Sequence, residues 1–156
     1  ARIASKGKIV RPKLVKFMNG NSVSAAETAE SIAIDVEHWA YIHQAMKAVV
    51  HSPSGTARGI NKGLNYTIAG KTGTAQVISI NAEEEYDSSK IDKSQWDHAL
   101  FVAFAPVEDP QIAIGLIVEN GEHGSSAAAP IARLVMDAYM KSQAGSHQSI
   151  GSEALH

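Results

Sequence analysis

The sequence predicts an α+β fold in which an antiparallel β-sheet meander is flanked by helices. Residues 99–104 and 112–118 are rich in β-forming residues, and residues 106–110 between them form a turn of hairpin length. Residues 66–78 alternate apolar and polar side chains ahead of this pair, which predicts a third strand. Apolar residues at helical spacing before and after these strands predict the flanking helices.

The composition is that of an ordinary globular domain. Of 156 residues, 44% are hydrophobic and 19% are charged, and the net charge of -2 provides no basic surface for nucleic acid. The absence of cysteine excludes disulfides and thiolate metal sites. No apolar run reaches the ~18 residues of a membrane span. The first residue is not Met and residues 1–4 resemble the end of a helix, so we expect a piece of a longer chain.

Turn signals divide the segment before the first helix. Gly7 is expected to end the opening segment, and residues 8–10 to form a short extended piece. Residues 19–21, Asn-Gly-Asn, predict a turn. Residues 24–34 have a weak pattern and are interpreted as an exposed connector.

The first helix is predicted from Glu37, with Asp35 as its N-cap. Residues 52–55, Ser-Pro-Ser-Gly, should end it. The apolar face of this helix recurs at spacings of three and four residues and comprises Trp39, Ile42, Met46, Val49 and Val50.

The last strand and the last helix complete the predicted fold. Residues 112–118 are apolar at nearly every position, so we expect that strand to be buried on both faces and to need a further neighbour. A helix is predicted from about Ala128 to Met140, with Ser125 or Ser126 as N-cap. Its expected apolar face comprises Ile131, Leu134, Val135, Ala138 and Tyr139. We therefore predict a domain over residues 1–141 and a disordered tail over 142–156.

The most informative stretch lies in the first predicted strand of the meander. Thr72 and Thr74 are two residues apart, so their hydroxyls share a face of an extended backbone. Gly73 between them lets a ligand approach closely, and Lys71 adds a positive charge. Two hydroxyls, a cation and an open strand edge predict a receptor for the terminal carboxylate of an extended peptide.

This stretch has two other interpretations. It can be a bend in a solvated edge strand, which composition alone does not exclude. It can also be a phosphate-binding loop, but the first glycine of that motif would fall at Asn65, and residues 66–69 are strand formers. A nucleotide site is therefore disfavoured.

The histidines and acidic residues do not predict a metal site or a cofactor. His38 and His43 are five residues apart, on different faces of a helix. His98 opens a strand and is interpreted as a packing or hydrogen-bonding residue. The polar insert over residues 81–96, with three glutamates at 83–85, lacks the spacing of a calcium loop. Trp96, at the end of this insert, either anchors it or flanks a substrate groove.

Several motifs occur together in the order of one known family. Residues 71–76 read Lys-Thr-Gly-Thr-Ala-Gln, preceded by Gly-Thr-Ala at 55–57 and followed by His-Ala-Leu-Phe-Val-Ala-Phe-Ala-Pro at 98–106. With Val-Glu-Asn-Gly at 118–121 and residues 125–131, this order resembles the C-terminal half of a penicillin-binding protein transpeptidase domain, which has a serine β-lactamase-like fold. The likeness is greatest to the class B, elongation-type penicillin-binding proteins (penicillin-binding protein 2) and covers roughly residues 1–140.

The resemblance implies a role for each residue of the strand. Lys71 would supply positive potential for the substrate carboxylate and hold a relay serine. The hydroxyls of Thr72 and Thr74 would bind the carboxylate of a D-alanyl-D-alanine stem peptide or of a β-lactam, with Gly73 between them. The backbone N–H of Thr74 would donate to the oxyanion. Lys71 and Thr74 are thus the expected catalytic residues, and no metal or cofactor is implied.

Two further motifs of that family are missing. Residues 5–8, Ser-Lys-Gly-Lys, fit Ser-x-x-Lys by letters, but Gly7 indicates a turn where a helix start is required. Residues 79–81, Ser-Ile-Asn, fit Ser-x-Asn but follow the Lys-Thr-Gly strand instead of preceding it. We interpret both matches as accidental and expect the nucleophile upstream of Ala1. The fragment alone should then be inactive.

The resemblance implies a fragment of a peptidoglycan D,D-transpeptidase, the target of β-lactams. Its expected partners are stem peptides and the membrane proteins of the elongation complex, at the periplasmic face of the bacterial inner membrane. Self-association through residues 112–118 is also expected. Two alternatives remain open, namely a non-enzymatic peptide-binding or sensor domain of the same fold, and a division-type class B enzyme.

Overall fold

The computed structural model describes residues 1–9, 15, 17–22, 31–78 and 88–152, with side chains described up to 144. Its strands and helices are β1 (Phe17–Met18), β2 (Asn21–Ser22), α1 (Val36–His51), β3 (Ala69–Ala75), β4 (His98–Ala105), β5 (Ile112–Val118) and α2 (Ala129–Ser152). The three longer strands form an antiparallel sheet in the order β3-β4-β5, so the predicted meander is confirmed. The Ser-Ile-Asn match at 79–81, the glutamates at 83–85 and residues 24–30 of the connector lie outside the described residues.

The opening residues form a turn of the kind that ends helices. Lys6 and Gly7 have positive φ values of 52° and 91°. The Gly7 N–H donates to the Arg2 carbonyl at 2.9 Å, and the Lys6 N–H donates to the Ile3 carbonyl at 3.1 Å. A Cβ at Gly7 would lie 2.8 Å from the Ile32 carbonyl oxygen. The prediction that Gly7 closes this segment is therefore confirmed.

Strands β1 and β2 form a short hairpin that the sequence analysis did not identify. Its two-residue turn is Asn19-Gly20, with φ values of 51° and 80°. Both values fit the type I′ turn that Asn-Gly favours between antiparallel strands. The turn was predicted, but the two-residue strands were too short to show an alternating pattern.

Helix α1 packs its predicted apolar face against β3. Trp39 and Val50 are buried, and Asp35 occupies the N-cap position without a side-chain capping bond. His43 is also buried: its Nε2 lies 2.7 Å from the Ile3 carbonyl oxygen, and its ring centroid is 4.8 Å from that of Phe104. His43 therefore joins the opening turn to the sheet.

The main core lies between the sheet and α2. Phe101, at the centre of β4, is fully buried and faces the same side as its cross-strand partners Thr72 and Leu116. The fully buried residues of the helical side are small except for one methionine: Ala128, Ala129, Ala132 and Met136. The alanines allow the helix to approach the sheet closely.

The predicted apolar face of α2 is wrong. Met136 is fully buried, whereas Leu134 is 69% exposed and Val135 is 45% exposed. The predicted face included Leu134 and Val135 because they are apolar, without reference to which side of the helix lies over the sheet. The face of α2 that packs on the sheet instead carries Ala129, Ala132 and Met136.

The last helix begins within one residue of the prediction but differs from it in its N-cap and in its C-terminal end. A π-helical turn over Gly124–Ala128 precedes α2, and the N-cap of that turn is His123, so neither Ser125 nor Ser126 is the N-cap. The helix continues to Ser152, beyond the predicted end at Met140. The helix thus overlaps the segment for which a disordered tail was expected, and the division into a domain over 1–141 and a tail over 142–156 stays a prediction.

Strand β5 has the predicted bounds but not the predicted burial. Its residues alternate between half-buried and exposed, and Ile117 is 63% exposed. The half-buried residues point toward α2, while Ala113, Gly115 and Ile117 face the opposite side. Within the described part of the chain, no strand pairs with the outer edge of β5. No described helix is long and apolar enough to cross a membrane.

Candidate functional site

Strand β3 passes from the core to the surface along its length. Ala69 and Gly70 are buried, Lys71 is exposed, and Thr74 at the far end is exposed. A Cβ at Gly70 would lie 2.6 Å from the Phe101 ring, so only glycine allows that ring to pack over the strand. The packing of Ala69 and Gly70 therefore fixes the position of the exposed end of the strand.

The two threonine hydroxyls lie on one side of β3. Thr72 is opposite Phe101 and Thr74 is opposite Ala99 on β4, and both pairs point to the α2 side of the sheet. Thr72 is partly buried and Thr74 is exposed, so both hydroxyls lie close to solvent. The geometry agrees with the predicted shared face.

Lys71 leaves the strand on the opposite side from the threonines, as the alternation of a strand requires. Its side chain nevertheless returns to the backbone, because Nζ donates to the Thr72 carbonyl oxygen at 2.6 Å. The ammonium therefore lies at the edge of β3. This position is compatible with the cation that the sequence analysis expected beside the two hydroxyls.

The bond between Lys71 and the Thr72 carbonyl indicates which backbone groups of β3 face away from β4. On an antiparallel strand, the groups that face the neighbour alternate with groups that face away. The Thr72 carbonyl accepts from a side chain, which indicates that it faces away from β4. Thr74, two residues later, then directs its N–H to the same edge, which pairs with no strand in the described part of the chain.

The π-helical turn before α2 packs directly on the middle of the site strand. A Cβ at Gly124 would meet the Leu100 carbonyl oxygen and would lie 2.9 Å from the Gly73 oxygen. The backbones of Gly124 and Gly73 are thus in contact on the face that carries the two threonines. This contact fixes the strand between the hydroxyls, and the sequence analysis did not identify it.

A third threonine reaches the site from the loop after α1. The Oγ1 of Thr56 lies 3.3 Å from the Oγ1 of Thr72. Its neighbours Gly55 and Ala57 are buried, whereas Thr56 is exposed. Thr56 and Thr72 are sixteen positions apart and lie in different elements, so no periodic pattern in the sequence predicts their contact.

A polar cluster fixes the start of β4 beside the end of the site strand. His98, opposite Ala75, accepts the Asn120 N–H on Nδ1 at 3.0 Å, which confirms its expected hydrogen-bonding role. The side-chain amide of Asn120 donates to the carbonyls of Ser94 and Trp96, both at 2.9 Å. The end of the 81–96 insert is therefore anchored to the turn after β5.

A second cluster fixes the loop that carries Thr56. The Tyr66 hydroxyl donates to Asp137 at 2.7 Å, and Arg133 Nε donates to the same carboxylate at 2.8 Å. Burial, together with the bond to Asp137, raises the pKa of Tyr66. Burial opposes ionisation of Asp137, but the bonds from Arg133 and Tyr66 outweigh it and lower its pKa. The Arg133 guanidinium also donates to the Ile60 carbonyl, which joins α2 to this loop.

A third cluster joins α1, the approach to β3 and the turn between β4 and β5. Glu108 accepts from the Thr67 hydroxyl and from Lys47 Nζ, the latter at 2.9 Å. These two bonds lower the pKa of Glu108 to about 2. Thr67 Oγ1 in turn accepts the Val107 N–H at 2.9 Å. The cluster holds the end of β3 that lies away from the threonines.

The described residues include no group of three or more histidine or acidic side chains that could hold a metal ion. His43, considered above as a ligand, is bonded to the Ile3 carbonyl. Ser5, the first residue of the Ser-x-x-Lys match, lies in the opening turn and donates to the Lys8 carbonyl at 2.7 Å. Neither residue contributes to the site at β3.

Comparison with known proteins connects this site to one family. The family profile described as "Penicillin binding protein transpeptidase domain" matches residues 1–137. The chain is 37% identical over 142 residues to the peptidoglycan D,D-transpeptidase MrdA of Haemophilus influenzae, covering 88% of this chain and 22% of that protein. It is 41% identical over 141 residues to MrdA of Acinetobacter baumannii, covering 88% of this chain and 20% of that protein. The chain thus spans about a fifth of the length of these relatives.

Solved structures give the same result. Penicillin-binding protein 2 of Pseudomonas aeruginosa, in complex with WCK 5153, is 40% identical with a TM-score of 0.71, covering 88% of this chain and 27% of that one. The complex between penicillin-binding protein 2 and MreC from Helicobacter pylori contains a chain that is 30% identical with a TM-score of 0.53, covering 67% of this chain and 17% of that one. The antiparallel sheet with its helices is therefore the arrangement these proteins share with this chain.

Proposed function

Since the chain belongs to the penicillin-binding protein transpeptidase family, we propose that it supplies the substrate-binding strand of a peptidoglycan D,D-transpeptidase. The observation that carries the proposal is the edge of β3 that pairs with no described strand: Thr72 and Thr74 share one face there, and the Lys71 ammonium lies at this edge, bonded to the Thr72 carbonyl. In such an enzyme a serine attacks the carbonyl carbon of the penultimate D-alanine of a D-alanyl-D-alanine stem peptide, and the terminal D-alanine leaves. An amine of a second stem then takes the acyl group from the serine.

The strand residues act on the part of the substrate that leaves. The hydroxyls of Thr72 and Thr74 donate to its carboxylate, and Lys71 supplies the opposite charge. A β-lactam carboxylate occupies the same position. Hydrogen bonds to a charged group contribute about 1.5–3 kcal/mol each. The substrate is therefore held by its C-terminus, with the scissile carbonyl beside the strand.

The main chain of β3 supplies the stabilisation of the transition state. The Thr74 N–H, directed to the open edge, donates to the oxygen that gains negative charge when the serine attacks. Removal of one such donor typically costs about a hundredfold or more in rate. We assign the nucleophile to another part of the enzyme, because Ser5 lies in a turn and its hydroxyl is bonded to a backbone carbonyl.

A chimera tests the assignment. Residues 1–141 of this chain replace the aligned segment of the Acinetobacter baumannii relative, and acylation by a fluorescent penicillin is measured. Thr72→Val and Thr74→Val, which keep the side-chain shape, should each slow acylation about ten- to a hundredfold. Lys71→Ala should also slow it, whereas Lys62→Ala, an exposed lysine on the loop before β3, should not.

The same chimera discriminates the non-enzymatic alternative. A folded chimera that never becomes labelled, while the parent enzyme does, contradicts the transpeptidase assignment. That result would favour a peptide-binding or sensor domain, which should still bind a D-alanyl-D-alanine peptide. Folding is checked by cooperative thermal unfolding at a temperature close to that of the parent.

A solved complex of one relative supports a further proposal on the location and the partners of this enzyme. Penicillin-binding protein 2 of Helicobacter pylori was solved in complex with MreC. We place this enzyme by analogy at the periplasmic face of the bacterial inner membrane, among the membrane proteins of cell elongation. Cross-linking of the chimera in Acinetobacter cells should capture that bacterium's MreC, and a chimera that functions without this contact contradicts the placement.

The free 156-residue chain should also self-associate through β5. Its seven residues carry no charge or proline, its outer edge pairs with no described strand, and Ile117 is 63% exposed. Such an edge readily pairs with another strand. Ile117→Lys should return the chain to monomers in sedimentation experiments. Tyr41→Lys on α1, where the side chain is 76% exposed, is the matched control and should change nothing.

A further inference from the structure

The turn after α1 presents Thr56 to the site from a rigid support. The Ala57 N–H donates to the Val49 carbonyl and the Gly55 N–H donates to the Ser52 carbonyl, both at 2.9 Å. A Cβ at Gly55 would overlap the carbonyl oxygens of the last turn of α1. The turn is thus held by its backbone, and Thr56 is its exposed residue.

The side chain of Thr56 is exposed, so burial does not account for a threonine at this position. Its neighbours Gly55 and Ala57 are buried, and they carry the packing of this turn. Its hydroxyl instead lies 3.3 Å from that of Thr72. This contact connects α1, through a single turn, to the open edge of β3.

The chemistry of hydroxyl groups determines the direction of this bond when a substrate is present. A threonine hydroxyl has one hydrogen to donate and two lone pairs that accept. If Thr72 donates its hydrogen to a carboxylate, it can only accept from Thr56. The result is a chain in which Thr56 donates to Thr72 and Thr72 donates to the substrate. Each bond in such a chain polarises the next and strengthens it.

We infer that Thr56 is a positioning residue for carboxylate recognition, acting through the Thr72 hydroxyl. This inference rests on the proposed function, because it requires that Thr72 binds a substrate carboxylate. Thr56 itself does not touch the reacting atoms. It fixes the rotamer of Thr72 and directs the Thr72 hydrogen toward the ligand. The effect of losing it should therefore depend on the charge of the ligand.

The experiment compares two substrates in the chimera described above. Both are acyl-D-alanyl thioesters, one with a leaving group that ends in a carboxylate and the other with the same leaving group ending in a carboxamide. Release of the thiol gives kcat and KM for each. Thr56→Val should raise KM for the carboxylate substrate about three- to tenfold, as expected for loss of one hydrogen bond. For the carboxamide, KM should change less than twofold.

Two further variants separate positioning from folding. Thr56→Ser keeps the hydroxyl and should retain the parent KM for the carboxylate substrate. In a Thr72→Val background, Thr56→Val should have no additional effect on KM, since the bond it would lose no longer exists. Equal losses with both substrates, or a full effect in the Thr72→Val background, would overturn the inference and indicate a structural role.

The outcomes for the two proposals are distinguishable. If Thr72→Val leaves the preference for the carboxylate substrate intact, the proposed function of the strand fails, and the inference on Thr56 fails with it. If Thr72→Val abolishes the preference but Thr56→Val has no effect on KM, only the inference on Thr56 fails. A preference that falls with both variants and does not fall further in the double variant supports both proposals.

Discussion

The contact between Gly124 and Gly73 gives the sharpest test of how the site strand is held. In a Gly124→Ala variant the new Cβ would lie 2.9 Å from the Gly73 oxygen and 3.2 Å from the Gly73 nitrogen. The first distance is about 0.5 Å less than the 3.4 Å at which ordinary contact begins. The new Cβ would also overlap the Leu100 carbonyl oxygen. All three atoms are backbone atoms of paired strands, which cannot rotate away as a side chain can.

The expected cost follows from this overlap. Adding one methyl group to a close-packed contact typically destabilises a protein by about 1–3 kcal/mol. Gly124→Ala should therefore lower the free energy of unfolding by this amount in urea titration. In the chimera it should also slow acylation, because the turn can only move by displacing the strand between Thr72 and Thr74. The matched control is Gly59→Ala, where no described atom beyond the adjoining backbone lies within 4 Å of the new Cβ.

The control should leave stability unchanged or raise it by about 0.4–1 kcal/mol, since alanine restricts the unfolded chain more than glycine does. If Gly124→Ala unfolds at the same urea concentration as Gly59→Ala, the reasoning is refuted. If stability falls but acylation is unaffected, the turn is important for folding and does not set the geometry of the site.

Two other changes test the core and the charges. Met136→Ala should lower the free energy of unfolding by about 2–5 kcal/mol because Met136 is fully buried, whereas Leu134→Ala, at a position 69% exposed, should change it by at most about 0.5 kcal/mol. A larger loss of stability for Leu134→Ala than for Met136→Ala would contradict the burial of the Met136 face of α2. Glu108, with its pKa lowered to about 2, stabilises the fold above its ordinary pKa of 4.5 and loses this contribution as the pH falls toward 2. In urea titrations at pH 7, Glu108→Gln should therefore lower the free energy of unfolding by no more than about 1 kcal/mol, since the side chain is 62% exposed. Near pH 2 the same substitution should leave the free energy of unfolding unchanged. A cost that is independent of pH would exclude the carboxylate as its cause.

The strands could be predicted from the sequence because their signal is local. The bounds of β5 match the predicted residues 112–118, and β4 differs from the prediction by one residue at each end. Both segments are continuous runs of β-forming residues with a turn between them. The shared face of Thr72 and Thr74 follows from the same two-residue period. The local pattern of residues was sufficient to predict where a strand lies and which of its side chains share a face.

The sequence could not determine features that depend on how elements approach each other. It placed Leu134 and Val135 on the apolar face of the last helix, whereas the residues that α2 buries are Ala129, Ala132 and Met136. It identified β5 as buried on both faces, although covering an apolar face requires another element to lie over it. The contact between Thr56 and Thr72 was missed for the same reason, since it exists only when α1 has packed on β3.

The Asn120 cluster has a consequence for how this region varies between proteins. Because the Asn120 amide binds the carbonyls of Ser94 and Trp96, the backbone entering β4 is held at a fixed point. A loop whose exit is fixed in this way can lengthen or shorten upstream without shifting the register of the strand that follows. Relatives should therefore tolerate insertions and deletions before position 94 far better than any change of length between 94 and 98. That difference would make the segment before Ser94 the natural place to attach a label or an additional domain.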